Sequence, residues 1–173
     1  MTDPATSRVG TTYDIPPVPP DPASTDWFDV GPLRIGIEYR RLDPAALDAI
    51  YADSEHLDAL HEASPEGGFT DEGVSVHVVS VADDHEWVRF DMFVEEPHYH
   101  YVDKSAGTNT VVVYDTVAHG PVVAWTLGRL RHRLPDMLRH AGGADVADAV
   151  DDAVAAEVAE RVEAHLREIG EYA

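Results

Sequence analysis

Alternation of apolar and polar residues along the chain predicts a set of β-strands. In the segment 33–39, apolar side chains recur at every second position, which is typical of a strand with one buried face. Segments 74–82 and 87–94 are rich in β-branched and aromatic residues and are separated by the turn-forming sequence ADDHE, so they predict a hairpin. Further strands are predicted at 97–102 and 110–117.

A different periodicity, with apolar residues three or four positions apart, predicts helices. Asp43 followed by Pro44 is a typical helix start, because aspartate caps the first turn and proline suits the first helical position. Pro121 similarly opens a second helical region. After the AGG sequence at 141–143, a long helix is predicted from about 144 to 169, with one apolar and one acidic side.

The order of these elements, strands first and helices later, predicts an α+β fold. We expect an antiparallel sheet of about four to five strands, packed by helices on one face and ending in a long C-terminal helix. Residues 1–30 are acidic and include the proline-rich sequence IPPVPPDP, so they are predicted to form a disordered tail. Residues 31–173 are predicted to be a single domain.

Charge changes this picture more than any other property of the composition. The chain has 33 acidic against 12 basic residues, a formal net charge of −21, and Lys104 is its only lysine. Such a surface repels itself and repels nucleic acid and anionic lipid. Molar salt screens that repulsion. The composition resembles that of proteins from salt-accumulating halophiles, so we expect adaptation to high salt and neither a nucleic-acid nor a membrane partner.

Several classes of function find no support in the sequence. There is no cysteine, which excludes disulfides, thiolate metal sites and a cysteine nucleophile. The G-x-S-x-G, Walker, G-x-G-x-x-G and H-E-x-x-H motifs are absent. No run of 18 apolar residues and no signal-peptide pattern occurs, so the expected location is cytoplasmic.

The sequence HYHY at 98–101 is the strongest candidate for chemistry. In a strand, His98 and His100 lie on one face, where both rings can ligate a divalent transition metal as a cofactor. Asp91 and Asp115, which stand among apolar residues of neighbouring strands, are the predicted further ligands. Two alternatives remain open: an amphipathic strand whose tyrosines pack beneath the helices, and a general acid–base or polar ligand-binding role.

A second candidate is the only positively charged segment, GRLRHRLPDMLRH. Its four arginines are Arg129, Arg131, Arg133 and Arg139. They can bind an anion through bidentate guanidinium contacts or contact another subunit of a homo-oligomer. They can also neutralise the acidic C-terminal helix within the same chain.

The segment FDMFVEEPHYHYV, together with the tryptophan-bearing helix after it, resembles an uncharacterised prokaryotic domain family found mainly in haloarchaea. The likeness covers about residues 85–135 and implies no activity, cofactor or catalytic residue. The sequence as a whole therefore favours a non-enzymatic, cytosolic binding or self-assembling protein. The alternative is a metal-dependent enzyme or metal-binding protein that uses the His-x-His strand and nearby aspartates.

Overall fold

The segments with period-two alternation form the centre of an antiparallel sheet. The computed structural model describes residues 9–63, 68 and 70–172. Over these residues the sheet has seven strands in the order β1-β7-β6-β5-β4-β3-β2, and every neighbouring pair is antiparallel. The strands are β1 (Thr11–Tyr13), β2 (Asp26–Val30), β3 (Leu33–Leu42), β4 (Asp71–Ser80), β5 (Glu86–Phe93), β6 (His98–Asp103) and β7 (Thr108–Val113).

The sheet is larger than the four to five strands predicted, because both edge strands lie in the predicted tail. Strand β1 pairs with β7, and β2 pairs with β3. Neither shows a clear alternation, since an edge strand only needs backbone pairing on one side. The prediction of disorder is therefore wrong for residues 9–30, and residues 1–8 lie outside the described part of the chain. The α+β class is confirmed.

Seven helices accompany the sheet in the described residues. They are α1 (Pro44–Tyr51), α2 (Leu57–Ala63), α3 (Thr116–His119), α4 (Val122–His132), α5 (Leu134–His140), α6 (Ala144–Asp148) and α7 (Asp152–Glu168). The predicted long helix is divided into α6 and α7, because Asp151 accepts a hydrogen bond from Val154 N at 2.9 Å and caps a new helix. None of the described helices is both long enough and apolar enough to cross a membrane.

The main core lies between one face of the sheet and helices α4, α5 and α7. Strands β3, β4 and β5 send alternate apolar side chains into it, and the helices contribute leucines and valines. Its fully buried members include Leu33, Ile35, Val76, Val78, Val88, Leu130, Leu134, Leu138, Val158, Val162 and Leu166. This face follows from the predicted pattern, and α7 buries its apolar side as expected.

The other face of the sheet is polar but not open to solvent. Residues 14–25, which we call the strap, cross this face between β1 and β2. Tyr51 Oη of α1 donates to Pro16 O at 3.1 Å, and Glu38 of β3 accepts from Asp21 N at 2.9 Å. Arg40 also donates to Val18 O at 3.1 Å. The strap and α1 therefore bury polar side chains that the sequence pattern places on a solvent face.

Candidate metal centre

Strand register brings an aspartate and two histidines together on the polar face. In the β5–β6 pair, Asp91 lies directly opposite His98, and His100 follows two residues later on the same face. Tyr99 and Tyr101, which alternate with the histidines along β6, point to the helix side of the sheet. There Tyr99 contacts Trp125 with ring centroids 5.2 Å apart. The amphipathic strand and the histidine cluster are thus both present, on opposite faces of β6.

The three side chains converge on one carboxylate oxygen. Asp91 Oδ2 lies 2.9 Å from His100 Nε2 and 3.3 Å from His98 Nε2. One donor atom from each residue lies within 4.8 Å of the other two. The side chains are 3%, 13% and 8% exposed for Asp91, His98 and His100. A metal ion about 2.0–2.2 Å from each donor atom requires ligand separations on this scale.

The opposite ring nitrogens of both histidines are held by polar groups. His98 Nδ1 donates to the backbone carbonyl of Glu96 at 2.7 Å, and His100 Nδ1 forms a hydrogen bond of 2.8 Å with the side-chain amide of Asn109. A backbone carbonyl only accepts, so the neutral His98 ring carries its proton on Nδ1 and its lone pair on Nε2. This arrangement directs the Nε2 atoms of both rings towards Asp91, as in metal sites whose histidines are oriented by outer hydrogen bonds.

The electrostatics of the cluster follow from burial and the shared carboxylate. Burial alone would raise the pKa of Asp91, but the hydrogen bonds from His100 and His98 outweigh it and hold that pKa well below the usual range. For His98, burial is outweighed by the Asp91 carboxylate, and the pKa is raised. For His100, burial dominates and the pKa is lowered, so this ring is neutral. The carboxylate is therefore ionised and available as a ligand.

A wider buried network supports the cluster. Ser75 Oγ donates to Asp91 Oδ1 at 2.5 Å, which orients the carboxylate. Arg89 binds Glu86 with two hydrogen bonds, of 2.8 and 2.6 Å, and His77 Nδ1 lies 2.5 Å from Glu86 Oε1. The ion pair with Arg89 and the hydrogen bond with His77 overcome the effect of burial and lower the pKa of Glu86 to about 2. These charges are paired among themselves, which leaves Asp91 to the histidines.

The fourth predicted ligand, Asp115, does not belong to the cluster. Strand β7 ends at Val113, two residues earlier than Asp115, so the strand predicted for 110–117 is shorter at this end than expected. The Asp115 side chain instead accepts from Val117 N at 2.9 Å and Ala118 N at 3.0 Å and caps α3 in an exposed position. An aspartate directly before a helix satisfies orphan amides more readily than it joins a strand.

A cavity of about 260 Å³ adjoins the cluster. Asp91, His98 and His100 form part of its wall, together with Arg40 and Arg89. The rest of the wall is largely apolar and comes from the strap, α1, β5 and β7, through residues that include Ile15, Val18, Leu47, Tyr51, Phe93, Val111 and Val113. A volume just below the roughly 300–1,000 Å³ of drug-sized sites suits a small molecule.

The basic segment lies on the helix side, away from this face of the sheet. Arg131 pairs with Glu160 at 3.4 Å, and Arg139 pairs with Asp148 at 2.7 Å. Arg133 pairs with Asp136 at 3.0 Å, while the Arg129 guanidinium lies 5.4 Å from the centroid of the Trp125 ring. Three of the four arginines thus have acidic neighbours within the chain, which is the internal neutralisation considered above.

Sequence reasoning missed Glu38, Arg40, Glu86 and Asn109 as parts of this site. Glu38 and Arg40 alternate with apolar residues on β3, and such residues are usually assigned to solvent. They are buried because the strap covers them. The proline-rich segment was a signal that could have revealed this burial. Its prolines have carbonyl oxygens but no amide donors, so its carbonyls accept from other groups, and Arg40 donates to one of them.

Comparison with known proteins identifies a family but no activity. A family profile described as Domain of unknown function (DUF7700) matches residues 27–166. The match contains Asp91, His98 and His100 and extends well beyond the 85–135 resemblance. The searches of curated proteins and of solved structures returned no match.

Proposed function

We propose that this chain, which belongs to the DUF7700 family of domains of unknown function, binds a divalent transition metal ion through Asp91, His98 and His100. The observation that supports this proposal is the convergence of two histidine Nε2 atoms on Asp91 Oδ2, at 2.9 and 3.3 Å. Imidazole and carboxylate together suit zinc, iron, manganese, cobalt and nickel. The Asp91–His98–His100 set is called the triad below.

The hydrogen bonds around the triad favour a cation at its centre. With Nδ1 of His98 donating to a carbonyl, the neutral ring turns a lone pair towards an ionised carboxylate. Two acceptors facing each other repel unless a proton or a metal ion lies between them. His98 with a raised pKa supplies the proton in the metal-free protein. A metal ion supplies more charge at the same point and also uses the lone pair of His100.

Three protein ligands leave coordination positions available, and all three residues line the cavity. Sites with three protein ligands and open positions are typical of metal centres that bind a further molecule, whereas closed four-ligand sites are structural. The geometry thus favours a site that binds a metal and a small molecule over a purely structural ion.

Metal binding is tested with protein purified without a His-tag and dialysed separately against Mn²⁺, Fe²⁺, Co²⁺, Ni²⁺ and Zn²⁺. Mass spectrometry of the bound metal is expected to show about one ion per chain for at least one of these metals. His98→Ala and His100→Ala are expected to lose it, while His132→Ala, at an exposed position of α4, retains it. Equal metal content in all four proteins would contradict the proposal.

Self-assembly is a separate proposal, favoured by three largely exposed valines. Val94 follows β5, Val113 ends β7, and Val117 lies in the adjacent α3, so all three are near the same end of the sheet. Exposed apolar groups at one end of a sheet suit contact with a second copy. Multi-angle light scattering in high salt tests this, and a strict monomer at every concentration would contradict it.

A further inference from the structure

The cavity wall contains an arginine whose hydrogen-bonding capacity is only partly used. Arg40 forms an ion pair with Glu38 through Nε, and its Nη2 donates to the strap carbonyls of Val18 and Pro19. Its Nη1 is buried and has no hydrogen-bond partner among the described residues. The side chain is 6% exposed. Buried guanidinium donors are nearly always satisfied, so this one indicates an acceptor that the described part of the chain does not supply.

The cavity next to Arg40 combines polar and apolar surfaces. On the sheet, Arg40, Arg89 and the triad lie beside the apolar Phe93, Val111 and Val113, and the strap and α1 add mostly apolar side chains. The further polar side chains of the lining include those of Glu96 and Asn109. A molecule that fits this space has a polar group at one end and an apolar body, and its size is that of a small metabolite.

Charge decides the sign of the polar group. Arg40 is paired with Glu38 and Arg89 with Glu86, so these four charges compensate one another. Asp91 carries the negative charge of the triad. Glu96 also belongs to the lining, but its side chain is exposed, so solvent screens its charge. A divalent metal ion exceeds the charge of Asp91 by one positive charge, and bound cations dominate the electrostatics of such sites. The metal-loaded cavity therefore favours an anion.

We infer that the metal-loaded cavity binds a small organic carboxylate, with the carboxylate group between the metal ion and Arg40 Nη1 and the apolar body against Phe93, Val111 and Val113. This inference rests on the proposed metal site. A carboxylate fits better than a phosphate, because a phosphate group has more acceptor oxygens than Arg40 Nη1 and the metal can satisfy. The planar carboxylate presents one oxygen to each.

Benzoate and its neutral counterpart benzamide are suitable probes, compared with inorganic phosphate by isothermal titration calorimetry in a buffer free of carboxylates. The affinity of benzoate for the metal-loaded protein is expected to be at least about tenfold higher than its affinity for the metal-free protein. It is also expected to be at least about tenfold higher than the affinity of benzamide for the metal-loaded protein. Phosphate is expected to bind more weakly than benzoate. Phosphate binding as tight as benzoate, or equal affinity of benzamide and benzoate, overturns the assignment.

Arg40→Lys and Arg41→Lys form a matched pair of variants. Arg40→Lys keeps a positive charge beside Glu38 but removes the Nη1 donor, so benzoate affinity is expected to fall about tenfold while metal binding persists. Arg41 is the exposed neighbour on the other side of β3, paired with Glu72 at 2.7 Å, and Arg41→Lys is expected to leave both affinities unchanged. Equal loss in both variants, or none in Arg40→Lys, contradicts the role of Arg40.

Val111→Phe provides a second, independent test should Arg40→Lys fail to fold. The larger side chain fills part of the cavity and is expected to weaken benzoate binding without changing the metal content. Unchanged benzoate affinity in this variant overturns the inference. Different results contradict the two proposals. If the wild-type protein binds no metal, the proposed function is wrong. If it binds metal but not benzoate, only the carboxylate assignment is wrong.

Discussion

Replacement of Asp91 by asparagine separates the structural from the metal-binding role of the triad. Asp91→Asn keeps the shape of the side chain, and its carbonyl oxygen continues to accept from Ser75 Oγ. The amide nitrogen then faces the two Nε2 atoms in place of the charged oxygen. In the variant, both imidazole rings can be neutral and accept from this amide. Hydrogen bonds to a charged carboxylate are thus replaced by hydrogen bonds to a neutral amide rather than lost. The variant loses the charge and with it the anionic metal ligand.

The expected loss of stability follows from the two contacts at 2.9 and 3.3 Å. A hydrogen bond to a charged group contributes about 1.5–3 kcal/mol and a neutral one about 0.5–1.5 kcal/mol, so two such exchanges cost about 2–3 kcal/mol. Relief from burying a carboxylate offsets part of this, which leaves about 2 kcal/mol. For a domain of this size, the Tm of the metal-free variant then falls by about 4–8 °C.

Metal binding adds a second, larger difference between the proteins. A ligand at 100 times its Kd stabilises the folded state by about 2.7 kcal/mol, which raises Tm by about 5–11 °C. Wild-type protein is expected to show this increase with the metal that it binds best. Asp91→Asn is expected to show almost none. Differential scanning calorimetry of both proteins, each with and without metal, measures the two effects separately.

Asp115→Asn is the matched control, because it makes the same chemical change at a helix cap outside the triad. Asparagine caps a helix about as well as aspartate, so neither Tm nor the metal-induced increase is expected to change. The reasoning is refuted by a metal-induced increase in Asp91→Asn as large as in the wild type. It is also refuted by a loss of that increase in Asp115→Asn.

Three further predictions concern pH, salt and packing. The pKa of His98 is raised and a ligating ring must be neutral, so metal affinity is expected to be full above that pKa and to fall about tenfold per pH unit below it. Calorimetric titrations from pH 8.5 to pH 5.5 test this, and an affinity that does not vary with pH would be inconsistent with His98 as a ligand. The net charge of −21 predicts a higher Tm in molar KCl than in dilute buffer, because the Debye length in molar salt is only about 3 Å and the repulsion is screened. Equal melting temperatures in the two solutions would rule out strong self-repulsion. Gly36→Ala places a Cβ 2.6 Å from the Trp27 ring and is expected to lower the free energy of unfolding by about 1–3 kcal/mol in chemical denaturation. The Cβ of Gly128→Ala in α4 meets no atom within 4 Å, so this variant is expected to be more stable by about 0.5–1 kcal/mol. The reverse order of stabilities would contradict the packing of β2 on β3.

The fold was predictable where one face of an element is apolar. Strand β3 and the hairpin of β4 and β5 show period-two or strongly β-branched patterns, and the pattern of α7 marks its buried side. The edge strands β1 and β2 were not predictable in this way, since their pairing depends on backbone hydrogen bonds from one neighbour. The break before α7 depends on a single capping bond to Asp151.

The candidate site was predictable only in its local part. The spacing of His98 and His100 fixes their common face, and Asp91 lies on the neighbouring strand with the matching alternation. Asp115 lies outside β7, contrary to the strand predicted for 110–117, because the sequence pattern does not show where β7 ends. Arg40 and Glu38 were missed because their burial results from a distant segment, the strap, that crosses the face of β3.

The burial of so many charged and polar side chains on one face of the sheet is itself an argument for function. Glu38, Arg40, His77, Arg89, Asp91 and His100 are all buried on one face of the sheet. Burying an ion pair costs desolvation that its attraction seldom recovers, and apolar residues of similar size are often more stabilising. A strap with prolines and apolar side chains would pack well against an apolar face. The polar face therefore costs stability that the fold alone does not require, and such departures are expected at functional sites. The triad residues and Arg40 belong to the lining of the cavity on this face, and Arg40 Nη1 has no hydrogen-bond partner among the described residues.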